Sequence, residues 1–356
     1  MEINGKDPYL GLSIIIPVYN VEKYIRSCVE SIFRQGLDEN CFEVIIVNDG
    51  TEDHSMEVIA DIICQHHNIS VINQENQGLS VARNNGIAAA KGEYILMPDS
   101  DDLLIEYSLK PLFIKAIESH ADLVVADFLT MNDNEIENFT KSPSRPHSIT
   151  TFIEKTGQQL ILDDLIPHEC YVWRTLYNRH FLINNHLKFY PGITYQDRPF
   201  TYACYLKANK CLKTSSFLYI YRKGHPTAAS YLINKKKAFD YCISISEIWK
   251  ASNIERLPIS VRQTITTNIA KNIAALTRRT VREIKSRKER TEVIDYLNNV
   301  LPQLSFRYST KQTILSYLRK HIPHIYMDIL YVYANFYEDR FRPFIIHIFK
   351  NSNERY

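Results

Sequence analysis

Three carboxylates crowd into four positions at Asp99-Ser100-Asp101-Asp102, just after the apolar run Tyr94-Ile95-Leu96-Met97 and Pro98. Carboxylates this close repel one another unless a cation or a donor-rich ligand joins them. A hard divalent cation with oxygen ligands, shared with a phosphate-bearing substrate, is the simplest resolution. Two other places carry side chains suited to the same kind of substrate. Asp49, in Asn48-Asp49-Gly50-Thr51, follows the strand-like run EVIIV. It can accept hydrogen bonds from a ribose or a base N–H, although Asn, Asp and Gly also build ordinary turns. Arg83, within Glu75 to Gly86, can pair with a phosphate or brace the carboxylates.

These side chains need a frame. Residues 13–18 (SIIIPV), 43–47, 69–73 and 93–97 read as short buried strands. Helical spacing covers Val21 to Phe33 with Asn20 as its cap, about 55–66, Leu79 to Lys91 and about 106–119, and a further strand follows at 123–126. Strands alternating with helices in units of about thirty residues predict a mostly parallel sheet covered on both faces. Such sheets bind ligands beyond the carboxyl ends of their strands. The loops at Tyr19-Asn20, Asp49-Gly50 and Asp99 to Asp102 therefore belong to one edge. Residues 130–150 are polar and patternless, which predicts a surface excursion. From Lys235 the pattern is helical and basic, with Pro258 opening a long segment to about Ile284. The expected organisation is an α/β domain over 1–234 and a mainly helical domain over 235–356.

Composition removes several classes. Of 356 residues, 45% are hydrophobic and 23% charged, as in a globular protein. No apolar run is long enough to span a bilayer, and the N-terminal residues lack the pattern of a signal peptide. Seven scattered cysteines with no C-x-x-C pair argue against a disulfide framework or zinc site and suit a reducing cytoplasm. The net charge of +2 conceals an asymmetry: residues 1–234 carry −9 and residues 235–356 carry +11. A basic segment of that size points to an anionic partner or to a solvated helical surface.

The ordered set SIIIPVYN (13–20), VNDGTED (47–53), ENQGLSVARNNG (75–86), KGEYILMPDSDD (91–102) and YQDRPF (195–200) resembles the family 2 glycosyltransferases of the GT-A fold. The resemblance implies a nucleotide-diphosphate-sugar donor, usually a UDP-sugar, a Mn²⁺ or Mg²⁺ ion, and inversion at the anomeric carbon. On that basis Pro17 and Tyr19 line the nucleobase and ribose pocket and Asp49 contacts the uracil. Asn76 and Ser100 join the donor site, and Arg83 contacts the nucleotide or braces the aspartates. Asp99 holds the ribose, Asp101 binds the metal, and Asp197 is the base that takes the proton of the acceptor hydroxyl. The family usually has Glu-Asp where this chain has Gln196-Asp197, so the neighbour's charge is lost and the base retained. Arg222, Lys223 or His225, in the segment that closes over the donor diphosphate, could meet phosphate oxygens. Trp173 and Arg174 fit a pattern near the acceptor.

Other readings stay open. Phosphatases of the haloacid-dehalogenase type also place D-x-D after an apolar strand, but Leu103 stands where they usually have Thr or Val, and three strands precede the motif. A non-catalytic nucleotide-sugar binder is a further alternative. The basic segment, with aromatics such as Phe341 and Phe344 among Arg340 and Arg342, suits an interfacial helix on anionic lipid at the inner face of the plasma membrane. That would fit a glycan or lipid-linked sugar acceptor in surface polysaccharide assembly. An accessory domain packing on the catalytic core or on a second subunit is the other reading. No nucleic-acid-binding motif accompanies the charge.

Overall fold

The computed structural model describes residues 10–141, 151–165, 170–224, 232–252 and 257–300. They fall into two compact units: 10–192 with 196–224, and Ile193–Tyr195 with 232–300.

In the first unit the chain runs β1 (Leu12–Val18), α1 (Ile25–Phe33), β2 (Phe42–Asn48), α2 (Ser55–Val58), α3 (Ala60–Gln65), β3 (Ile69–Asn73), α4 (Leu79–Ala89), β4 (Tyr94–Leu96) and β5 (Leu103–Leu104). It continues with α5 (Leu109–Ser119), β6 (Leu123–Met131), α6 (Asp133–Lys141), β7 (Phe152–Lys155), α7 (Gly157–Asp163), β8 (Thr175–Asn178), α8 (Arg179–Asn184), α9 (Asp197–Lys207) and β9 (Cys211–Arg222). The strands form one sheet in the order β3-β2-β1-β4-β8-β6-β9-β5, with β7 pairing β9.

Its first half is parallel, β2 and β4 flanking β1 and β3 lying outside β2. All seven residues of β1 are buried, so both faces must be covered. Leu12, Ile14, Ile16 and Val18 share a core with Ile25, Val29 and Ile32 of α1 and Leu109, Leu112 and Ala116 of α5. Ile15, pointing the other way as strand alternation requires, meets α4. There a Cβ on Gly86 would lie 2.2 Å from the Ile15 Cγ2, so only glycine lets the helix come this close.

The second half departs from an all-parallel sheet. β8 enters antiparallel between β4 and β6, and β9 runs parallel to β6 but antiparallel to β5 and β7. The mixed sheet thus reverses direction beside β4, next to the Asp99 loop.

Three local expectations need correcting. Asn20 does not cap α1, which starts at Ile25. It takes a left-handed φ of 52°, and its side-chain oxygen accepts from the Glu52 N–H at 3.1 Å. The helix expected over 55–66 is two short helices, parted at Ile59 by a φ of −111°. Part of the expected excursion at 130–150 is α6, and residues 142–150 lie outside the described residues.

The second unit contains α10 (Lys235–Ser252), α11 (Ile259–Glu283) and α12 (Arg287–Val300). Pro258 sits at the N-cap of α11, whose first orphan N–H groups need no donor from proline. Tyr241, Ile245 and Ile248 of α10, Ile265, Ile269 and Leu276 of α11, and Val293, Ile294 and Leu297 of α12 are buried. The buried Arg290 guanidinium donates to the carbonyls of Ile284 and Lys285 and closes the end of α11.

Candidate active site

The carboxyl ends of β1, β2 and β4 bring the expected loops to one edge. Their geometry is fixed by polar pins. Asp53 accepts from the Glu22 N–H at 2.9 Å, from Thr51 Oγ1 at 2.7 Å and from the Ser55 N–H at 3.0 Å, which ties the loop after β1 to the loop after β2. Burial opposes the Asp53 charge, yet these bonds hold its carboxyl below the usual range.

Asp49 is 3% exposed, and its carboxylate accepts from the Gln74 side chain and from the N–H groups of Gln77 and Gly78 at 2.7–2.9 Å. It therefore clamps the turn into α4. Gly50, at φ 68° in the loop after β2, packs against that turn, where a Cβ would press on the Asn76 backbone N at 2.9 Å. Pro17 is buried in β1 opposite Val47, while Tyr19 is 42% exposed and Asn76 exposed.

Asp99, Asp101 and Asp102 each offer a carboxylate oxygen, and these lie within 4.8 Å of one another. Arg83, 1% exposed on α4, forms an ion pair with Asp99 and lies over the Phe189 ring at 5.3 Å from its centroid. Burial pushes the Asp99 carboxyl up to about 6 against the opposing pull of Arg83. The Tyr219 hydroxyl accepts the Asp99 N–H at 2.9 Å, and Trp173 stacks on the Tyr219 ring at 4.1 Å. Ser100 is buried at the tip of the turn.

Asp102 is 1% exposed, and its Oδ1 accepts the Arg222 N–H at 2.7 Å. Its Oδ2 is buried without a hydrogen-bond partner. Burial, then Asp101, pushes this carboxyl well above its ordinary range. An acceptor oxygen left bare beside two other carboxylates fits a divalent cation, which would supply the missing positive charge.

Arg222 turns inward. Its Nε donates to the Asp101 carbonyl at 2.7 Å, its Nη1 pairs with Asp133 at the start of α6, and its guanidinium covers the Tyr24 ring at 4.7 Å. In this arrangement it braces the acidic turn. His225 lies outside the described residues.

Asp197 is the first residue of α9 and half-buried. Its Oδ1 accepts the Arg198 N–H at 3.0 Å. Burial raises its carboxyl above the ordinary 3.8, while Arg198 and then Arg83 oppose the shift. Asp197 in turn acts electrostatically on Asp99, so the two carboxylates share one charged environment with Arg83 between their influences.

Two residues that join these parts escaped the sequence reading. Phe189 stacks on Phe200 of α9 at 3.8 Å, and the Asn84 side chain of α4 bonds both its N–H and its carbonyl at 2.9 Å. Beside Asp197, the Gln196 Oε1 is buried without a partner.

The profile of glycosyl transferase family 2 matches residues 13–181, which hold the Asp49 clamp, Arg83 and the Asp99–Asp102 turn. The chain carries a family 2 glycosyltransferase domain. Its glycosyltransferase sheet is the GT-A fold found in Staphylococcus aureus TarS 1-349, solved in complex with UDP-GlcNAc. The two share a TM-score of 0.70 and 21% identity over 91% of this chain and 89% of that one. An uncharacterized glycosyltransferase of Bacillus subtilis, EpsJ, is 35% identical over 214 residues, 60% of this chain and 61% of EpsJ. A poly(ribitol-phosphate) beta-glucosyltransferase of Bacillus spizizenii is 24% identical over 92% of this chain and 49% of its own length. The chain thus spans about half to three fifths of these two relatives. Asp197 and β9 lie beyond the residues that the family profile covers.

Proposed function

We propose that the protein is an inverting, metal-dependent glycosyltransferase that moves a sugar from a UDP-sugar to an acceptor hydroxyl in surface glycan assembly. The observation that carries this is the pairing of two acidic centres with opposite demands. One is a braced cluster of three carboxylates with a bare buried oxygen; the other is a separate half-buried Asp197 with a raised pKa.

The reaction forms a bond from the acceptor oxygen to the anomeric carbon and breaks the bond from that carbon to the diphosphate. Asp101, with Asp99 and Asp102, would hold Mn²⁺ or Mg²⁺, which supplies charge stabilisation for the departing diphosphate without proton transfer. The chain's own residues do the rest. Pro17, Tyr19, Asn76 and the loop clamped by Asp49 shape the nucleoside side, Asp99 and Ser100 hold the ribose, and Arg83 fixes Asp99. Asp197 takes the proton of the attacking hydroxyl, and its raised pKa brings its basicity closer to that task.

A UDP donor is supported by the TarS structure, which holds UDP-GlcNAc in the same fold. A phosphate-rich or lipid-linked acceptor is supported by the poly(ribitol-phosphate) relative and by the helical unit. On α11 and just beyond it Lys271, Arg278, Arg282 and Lys285 are exposed at helical spacing. Among the described residues no helix is long and apolar enough to cross a membrane. Attachment to the inner face of a membrane would therefore be peripheral if it rests on these residues.

The test is release of UDP from UDP-Glc, UDP-Gal, UDP-GlcNAc and UDP-GalNAc with and without Mn²⁺. One donor is expected to turn over, only with the metal. Failure of all four, or turnover unchanged by a chelator, overturns the reading. Phosphate release from a simple phosphomonoester would restore the phosphatase alternative.

A further inference from the structure

We propose that Asp133 of α6 is a positioning residue for the cation site: it draws the Arg222 guanidinium away from the carboxylates of the acidic turn and so keeps their oxygens open to a divalent cation. The inference rests on the reading of the Asp99–Asp102 turn as that site.

Arg222 is the last residue of β9 and is 7% exposed. It lies in register with Met131, the last residue of β6. Its backbone N–H donates to the Asp102 Oδ1 and its Nε to the Asp101 carbonyl, both at 2.7 Å. A guanidinium keeps its charge at any ordinary pH, so burying it calls for an anionic partner. The turn that Arg222 touches carries three carboxylates. Its Nη1 nevertheless pairs with Asp133, on a different element. The guanidinium carbon also lies 4.7 Å from the centroid of the Tyr24 ring, whose π face favours the same placement.

The Asp133 carboxylate is held where this pairing needs it. Asp133 opens α6, where the helix dipole favours negative charge. Around it Asn132 and Glu135 exchange side-chain-to-backbone bonds at 2.8 and 3.0 Å. One turn further on, Ile136 is buried with Leu103, Ile105 and Ile220 of β9. The Met131 carbonyl accepts the Lys223 N–H at 2.8 Å, so β6 is still tied to the end of β9 where it leads into α6. The start of the helix and Arg222 are thus fixed to the same pair of strands.

Stability alone gives little reason for this pair. The Asp133 side chain is 64% exposed, and an ion pair with one partner in water contributes little to folding. Its consequence is where it places a charge. Arg83 shows the other arrangement, in which a guanidinium pairs directly with Asp99 of the turn. A second guanidinium paired in that way would take the place of a cation. With Arg222 paired to Asp133, the Asp102 Oδ2 is left buried and bare, an oxygen suited to a hard cation. Without the Asp133 carboxylate, the buried Arg222 charge is left beside the carboxylates of the turn. Arginine and metal then compete for the same oxygens.

The experiment uses the full chain with UDP present and titrates Mn²⁺, reading the free ion by its electron paramagnetic resonance signal. Asp133→Ala, a change at an exposed side chain that leaves the core intact, is expected to weaken Mn²⁺ binding about 10-fold. Turnover of the best UDP-hexose of the four above, at saturating Mn²⁺, stays within about 2-fold of native. Asp133→Glu, which keeps a carboxylate at the start of α6, restores most of the affinity. The deciding variant combines Asp133→Ala with Arg222→Gln. It lacks the guanidinium but keeps the backbone N–H that bonds Asp102, and it binds Mn²⁺ more tightly than Asp133→Ala alone. Native Mn²⁺ affinity in Asp133→Ala overturns the proposal. So does a double variant that binds no more tightly than the single one, which would leave Arg222 a brace and Asp133 its anchor. A native chain that binds no Mn²⁺ even with UDP would instead sink the cation-site reading on which the proposal depends.

Discussion

The two acidic centres are built in opposite ways. The Asp99–Asp102 turn is braced from many sides: Tyr219 and Arg222 of β9, Arg83 of α4 and Asp133 of α6 all hold it, directly or through one another. Asp197 opens α9, where its Oδ1 accepts the N–H of Arg198. A group that gathers a cation and a diphosphate must present several oxygens in a fixed array, which needs support from many elements. A base must meet one proton, and its local chemistry matters more than a dense cage. In the proposed mechanism rigidity is concentrated where charge would be gathered, and tuning where a proton would move.

Substitutions can break this contrast. The largest effect is expected for Asp197→Asn, a loss of about 1,000-fold in kcat with UDP affinity unchanged. Measured UDP release and UDP titration check it, and a parallel loss of affinity would place Asp197 on the donor side.

The pH profile sharpens the same point. Because burial raises the Asp197 carboxyl above 3.8, the group stays protonated to a higher pH than an ordinary aspartate. Activity should therefore fall on acidification while ordinary carboxylates are still charged, about tenfold per pH unit below the limb. An acidic limb at or below 3.8 in kcat would contradict the assignment.

Asp102→Asn keeps an oxygen to accept from the Arg222 N–H and replaces the bare Oδ2 with an amide nitrogen that cannot ligate a hard cation. The Mn²⁺ concentration for half-maximal rate is expected to rise about 10-fold, with the fold intact. No change in metal dependence would confine Asp102 to holding the turn.

The smallest effect is expected from Tyr219→Phe, which removes the acceptor of the Asp99 N–H. A loss of about 1 kcal/mol of stability by denaturant titration, with little change in Mn²⁺ dependence, would show how redundant the bracing is.

The parallel half of the sheet was readable from residues because β1, β2 and β4 hold the apolar runs Ile14–Val18, Val44–Val47 and Tyr94–Leu96, and burial on both faces demands such runs. The carboxylate turn and the Asp49 loop followed from their place at strand ends. β8 was not readable: four residues, Thr175 to Asn178, take their direction from neighbours on both sides, β4 and β6. α6 was readable in principle. Asn132 and Glu135 cap it reciprocally, each side chain accepting the other's N–H at 3.0 and 2.8 Å, and that N-x-x-E spacing is a start signal. It was obscured because Ile136 is its one buried residue. Arg222 was singled out as a cationic group near the donor, but its inward partners, Asp133 and the Asp101 carbonyl, come from distant chain. Phe189 gave no signal at all, since a lone aromatic acquires meaning only when Asn84 and Phe200 are folded against it.

One strand of the molecule works as a ruler. Tyr219 and Arg222, three residues apart on β9, meet Asp99 and Asp102, three residues apart on the turn. The Arg222 contact is made by its backbone N–H and tolerates exchange of that side chain but not a change of length, whereas the Tyr219 contact needs its hydroxyl. Deleting one residue between Tyr219 and Arg222 would shift the later backbone N–H out of register with Asp102 while Tyr219 stayed at Asp99. The spacing within β9 is thereby locked to that of the acidic turn, whatever the loops around them carry.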